Sequence, residues 1–164
     1  MIQFKAFLKF LITPTVQKNW FSDVVFFIIR FGCGIGLSIG FGADKFGVPW
    51  TPHSQNLNLF EVAAWFPEDV KAYGGIFAMF PIFFAWMGAF SEAVGGMLLA
   101  LGIGTRISSF LIMCTMLVAI FLQKWNGPAW NMLPAMGFLW VAIYNLSLGS
   151  GRFGLDFIIS KKLK

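Results

Sequence analysis

Apolar residues along this chain gather into four long runs, residues 24–42, 76–101, 107–122 and 132–148. Short polar connections separate them, apart from one long connection over residues 46–75. A helix needs about 20 apolar residues to cross the hydrocarbon core, within a range of about 17–25. The first, second and fourth runs meet that length, and the third does so if Arg106 and Gln123 snorkel at its ends. Ahead of the runs, Phe4, Phe7, Leu8 and Leu11 recur at i, i+3, i+4 and i+7, with Lys5 and Lys9 between them. That is the pattern of a basic amphipathic helix lying in the membrane interface, ended by Pro14. A signal peptide fits less well, because lysines break the apolar stretch and no small-residue cleavage site follows. The pattern predicts an all-α membrane protein, a four-transmembrane-helix bundle with an N-terminal amphipathic interfacial helix. Its divisions are an interfacial segment (1–20), the membrane domain (21–157) and a basic tail (158–164).

Composition supports a lipid-facing surface. Only 12% of the residues are charged and 58% are hydrophobic, whereas a soluble domain carries about 25% charged residues. So few charges do not coat a water-facing surface, so the bilayer is the expected partner. Nothing in the chain points to nucleic acid. Four crossings put both ends on one side, together with Lys5, Lys9, Lys18, Arg106, Arg152, Lys161, Lys162 and Lys164. The other side holds Lys45, Lys71 and Lys124. By the positive-inside rule both termini are expected in the cytoplasm. The long connection then faces outward with His53, Glu61, Glu68 and Asp69. Within it, residues 58–66 read as a short interfacial helix anchored by Trp65. Pro67, Glu68 and Asp69 read as the start of the helix that becomes the second span. Trp125 and Trp130 flank the short outer turn, as an aromatic belt does.

Candidate chemistry is sparse. Cys33 and Cys114 lie in apolar runs and read as inert packing residues. One histidine and two separated cysteines do not assemble a typical haem or zinc site, so no metal is predicted. Ser108, Ser109, Thr115, Asn131, Tyr144 and Asn145 read as hydrogen-bonding glue between helices. Gly32, Gly36 and Gly40 form a spacing-four ridge that lets another helix approach closely, beside a stripe of Arg30, Gly34, Leu37, Phe41 and Lys45. In the second run Glu92 lies between Gly88 and Gly96 on a small-residue face. By helical rise, Arg30 lies about 9 Å and Glu92 about 15 Å inside the cytoplasmic ends of their runs. The two are therefore expected to meet. An unpaired carboxylate at that depth costs about 2.5–3.5 kcal/mol. Three readings stay open: the pair locks the bundle, it lines a polar pocket for a quinone or another head group, or Glu92 is protonated and relays a proton.

Three stretches together resemble the DoxX/DoxD-like family of small bacterial four-helix membrane proteins. IIRFGCGIGLSIGFGADKFG places Arg30, Gly32 and Lys45 where the family opens with an arginine, a glycine-rich helix and a lysine past its outer end. SEAVGGMLLALGIGTRISSF places Glu92, Gly95, Gly96, Gly102, Thr105 and Arg106 on the family's Glu, double-Gly and Gly-x-x-Thr-Arg pattern. LGSGRFGLD places Gly149, Gly151, Arg152 and Asp156 on its closing pattern. The resemblance runs over residues 24–157. The basic N-terminus and the WTPHSQNLNLF stretch depart from it. It implies the bacterial inner membrane and a membrane subunit of a quinone-linked oxidoreductase system, like thiosulfate:quinone oxidoreductase, with other redox subunits as partners. Arg30 and Glu92 would be catalytic, Lys45 would join them in binding quinone, and electrons would pass through quinone, flavin or a partner's centre. The alternative is a non-catalytic scaffold or assembly subunit of a larger membrane complex, with homo-oligomers compatible with either. A small transporter fits less well, since no inverted repeat is visible. Arg106 and Arg152 read as positive-inside anchors or as a docking surface, with Asp156 as a pairing partner for either.

Overall fold

The computed structural model describes residues 10–162. The interfacial helix expected over residues 1–13 therefore falls almost wholly outside the described residues, and only Phe10–Ile12 of it is seen, as a helical turn. The described chain is helical: α1 (Trp20–Gly42), α2 (Trp65–Lys71), α3 (Gly75–Met79), α4 (Pro81–Leu101), α5 (Thr105–Gln123), α6 (Leu133–Leu148) and α7 (Leu155–Lys162). Helices α1, α4 and α5, of 23, 21 and 19 residues, are long and apolar enough to cross a membrane, and α6 is shorter. Asn19 starts α1 by accepting the Phe21 N–H at 3.0 Å, which supplies one of the acceptors a helix N-terminus lacks. Pro81 and Pro134 stand in the first turns of α4 and α6, where a missing N–H costs nothing.

The four longer helices form a closed ring, α1 on α4, α4 on α5, α5 on α6 and α6 back on α1. The glycines that allow the closest approach are not those of the predicted ridge. A Cβ at Gly32, Gly36 or Gly40 would meet nothing within 4 Å. A Cβ on Gly34 would lie 2.6 Å from the Ala100 nitrogen and the Gly96 oxygen, and one on Gly42 would lie 2.3 Å from the Ala93 nitrogen. The α1–α4 seam therefore runs along the stripe that carries Arg30 and Lys45. Ser38 closes it by donating to the Ala93 carbonyl at 2.5 Å.

Beyond Gly42 the first half of α4 is covered by the long connection. Phe46 pairs with Val62 in an isolated antiparallel bridge, and Phe46, Val48, Phe66 and Val70 pack against Ala85, Ala89 and Ala93. The stretch 58–62 is thus not the predicted interfacial helix. Its carbonyls and amides are taken by Gly47, whose N–H donates to Glu61 O at 2.8 Å and whose carbonyl accepts from Phe60 N at 2.7 Å. Nor does the helix starting near Pro67 run on into the second span. It stops at Lys71, and two further helices follow a break at Gly74 and a second one at Phe80.

Because the seam is backbone against backbone, side chains cannot swing aside there. Gly34→Ala is expected to destabilise the protein by about 1–3 kcal/mol, the range for overpacking. Gly36→Ala should leave stability unchanged or raised. Thermal unfolding of the two variants in the same detergent checks this.

Candidate functional site

Each of the three long helices contains a five-residue π turn: Ser38–Gly42 in α1, Ser91–Gly95 in α4 and Ala119–Gln123 in α5. Such turns are rare, and they concentrate at functional sites because the extra residue redirects side chains. Ser38–Gly42 packs on Ser91–Gly95, and α5 packs on the same segment. Glu92 projects from the middle turn, and Lys45 follows the first by three residues.

Lys45 Nζ lies 2.5 Å from Glu92 Oε2, with side chains 17% and 6% exposed. Among the described residues no donor reaches Oε1 of Glu92. The lysine also stands 5.1 Å from the centre of the Phe66 ring, a cation–π contact that holds the ammonium on the aromatic side. The pair sits at the base of a cavity of about 310 Å³ walled by Phe66 and Tyr73 from the long connection, Phe77 from α3, Phe84 and Met87 from α4, and Thr115 from α5. Its rim includes Phe83, Phe110 and Cys114, all exposed on the outer faces of α4 and α5. The cavity thus opens sideways, toward lipid. Thr115 Oγ1 donates to Ser91 Oγ at 2.9 Å across its floor. Burial, then the negative charges of Asp69 and Glu92, push the Tyr73 phenol up to about 12, so its proton stays in place as a donor at neutral pH.

Arg30 is not part of this constellation. It is fully buried and donates to the carbonyls of Leu99 and Ala100, the latter at 2.7 Å, and to Phe153 at 3.4 Å. The expected Arg30–Glu92 pair is therefore corrected to Lys45–Glu92. The seam register sets Arg30 against the end of α4, while Glu92 faces the end of α1. Twelve residues of α1 separate Arg30 from Gly42, about 18 Å along the helix. Arg30 instead satisfies last-turn carbonyls that have no partner within their own helix.

Its neighbours do the same work. Asp156 pairs with neither Arg106 nor Arg152 but caps α5, accepting from Gly104 N at 2.8 Å, Thr105 N at 2.9 Å and Thr105 Oγ1 at 2.8 Å. Arg106 closes the end of α6 through the Leu146 and Ser147 carbonyls at 3.1 and 3.0 Å, and also bonds Phe10 and Thr13. Arg152 pairs with Asp23 at 2.8 Å. Arginines that read as anchors or a docking surface are thus engaged within the fold. The site residues missed from sequence are Phe66, Tyr73 and Phe77. The only signal for them was the density of aromatics over residues 65–77.

This architecture is that of a helical, multi-pass membrane protein in contact with lipid. Residues 54–125 match the DoxX family model, a stretch that includes the second of the three motifs and agrees with a DoxX-like family. The matched stretch holds α2 to α5 entire, and hence every residue lining the cavity except Lys45. No curated protein and no solved structure matches the chain significantly.

Removing one partner of a buried ion pair costs about 3–5 kcal/mol, because it strands the other charge. Glu92→Gln and Lys45→Met are each expected to lower stability, while the double variant recovers most of the loss. A double-mutant cycle by thermal unfolding checks this. In a Tyr144→Phe background, the phenolate absorbance of Tyr73 is expected to rise near pH 12 rather than 10. Adding Glu92→Gln should move it down, since one opposing negative charge is gone.

Proposed function

We propose that this chain is a four-span subunit of a quinone-linked oxidoreductase system in the bacterial inner membrane, with both termini cytoplasmic and Lys45, Glu92 and Tyr73 binding the quinone head group. The observation that carries the reading is the Lys45–Glu92 pair at the base of an aromatic cavity that opens to lipid. The volume, about 310 Å³, is at the lower end of the range for small-molecule sites, about 300–1,000 Å³. That suits a ring-sized head group whose tail stays in the bilayer.

The residues fit such a ligand. Lys45 supplies an ammonium donor for a ring carbonyl, and Tyr73 supplies a phenol that keeps its proton. Phe66, Phe77 and Phe84 offer faces and edges to a planar ring. Glu92 holds Lys45 in position and presents a free oxygen, Oε1. Quinone itself supplies the capacity to carry two electrons and two protons between membrane partners. The donor of those electrons would be a further subunit, as in thiosulfate:quinone systems. The fourth crossing is α6: its 16 residues span about 24 Å, a shortfall that local thinning of the bilayer accommodates at small cost.

A second reading, a non-catalytic scaffold, is favoured by one observation. Gly32, Gly36 and Gly40 lie in open space on α1, a spacing that suits another transmembrane helix. The two readings separate on purification in mild detergent. The quinone reading expects quinone to co-purify and to be lost in Lys45→Ala, with Arg30→Ala lowering the yield of folded protein without emptying what folds. Bound quinone should also slow labelling of Cys114, at the cavity rim, by a lipid-soluble maleimide, with Cys33→Ser as background. Stoichiometric protein partners without quinone would establish the scaffold instead.

A further inference from the structure

The ion pair has two sides. On the face away from the lipid-facing cavity lies a second one of about 240 Å³, and Lys45, Glu92, Ala119 and Gln123 line both. The second cavity is bounded by Lys124 and Asn131 from the turn between α5 and α6 and by Phe138 of α6. Gln123 and Asn131 are exposed at its rim, together with Phe41 and Pro134. Liquid water takes about 30 Å³ per molecule, so this space has room for several waters beside Lys45, Gln123, Lys124 and Asn131, while Leu37, Met116 and Ala135 make the rest of its wall apolar. Glu92 therefore borders a cavity open toward lipid on one side and one with a partly polar mouth on the other, and the π turn Ala119–Gln123 contributes to the walls of both.

We infer that Glu92 is a proton-exchange group, fed with water through the Gln123–Asn131 cavity and delivering to the lipid-facing one. This rests on the reading of the first cavity as a ligand site and adds the route by which that site exchanges protons. In the step, a hydronium ion in the second cavity gives its proton to Oε1 of Glu92. One O–H bond breaks and one forms, water is left behind, and the Lys45 ammonium keeps its charge. The reverse transfer, to an acceptor in the first cavity, restores the ion pair. Four other titratable groups face this chemistry. Lys45 touches the carboxylate, Tyr73 reaches in from the α2–α3 break, Cys114 stands on α5, and Lys124 follows it. Helix α6 brings no titratable side chain to either cavity.

The test uses cysteine accessibility in the full-length protein, in a Cys33→Ser, Cys114→Ser background. In whichever preparation, intact cells or inverted vesicles, Lys124→Cys reacts with a charged, membrane-impermeant methanethiosulfonate, Ala119→Cys is expected to react too. Leu111→Cys, which lines only the first cavity, should react with a lipid-soluble maleimide alone. A second readout is infrared detection of the protonated carboxyl after a pH jump. The component of the band lost in Glu92→Gln belongs to Glu92, and Ala119→Leu should slow the appearance of that component about tenfold, a modest share of what a positioned proton-transfer group supplies. Ala119→Cys inert to the charged reagent while Lys124→Cys reacts would overturn the inference, as would an unchanged rate in Ala119→Leu. Neither measurement needs bound quinone, so the route can stand or fall apart from the ligand reading.

Discussion

Contact of one helix backbone with another, at Gly34 against Gly96 and Ala100 and at Gly42 against Ala93, fixes the register of α1 on α4. The rest of the structure depends on that register. Both helices carry ionisable residues, and sliding one by a turn would bring different charges together. With the glycines seated, Lys45 meets Glu92 and Arg30 meets the carbonyls at the end of α4. A buried carboxylate without a cation, or a buried guanidinium without acceptors, carries a large desolvation cost. Close packing and charge pairing thus select the same alignment, and each makes the other harder to break.

The two ends of the bundle solve different problems. At the end bearing the α4–α5 turn, Arg30, Arg106 and Asp156 complete the hydrogen bonds of α4, α6 and α5, and Arg152 ties Asp23 of α1 to the segment after α6. Helix ends leave backbone groups unpaired, and a bilayer offers little water to satisfy them. At the other end Lys45 and Glu92 form a buried charged pair, and the long connection folds over it. The first end leaves Arg30 Nε as a buried nitrogen without a partner, and the other keeps Oε1 of Glu92 free beside open space.

Much of this was legible in the sequence. Apolar run length located the long helices to within a few residues, except that the second begins at Pro81 rather than near residue 76. The motifs that resemble the DoxX family singled out Lys45, Glu92, Arg106 and Asp156, all of which hold the structure at a specific point. What failed was pairing. Depth counted from the ends of apolar runs put Arg30 beside Glu92, because run ends do not coincide with helix ends and give no register. The glycine ridge was chosen by its regular spacing, whereas the packed glycines, Gly34 and Gly42, are eight residues apart and stand out only through what faces them. The three π turns leave no periodic mark. The long connection read as an outward-facing segment with a surface helix over residues 58–66, and tertiary packing alone turns its aromatics Phe46, Phe66 and Tyr73 onto α4.

The sideways mouth between Phe83 and Phe110 has a consequence for dosage. A hydrophobic molecule arriving there comes out of hydrocarbon, where partitioning has already concentrated it far above its aqueous level. Occupancy then follows the mole fraction in the lipid, so a site of modest intrinsic affinity stays filled as the membrane pool fluctuates, and diluting the membrane with added lipid empties it even though the total amount is unchanged.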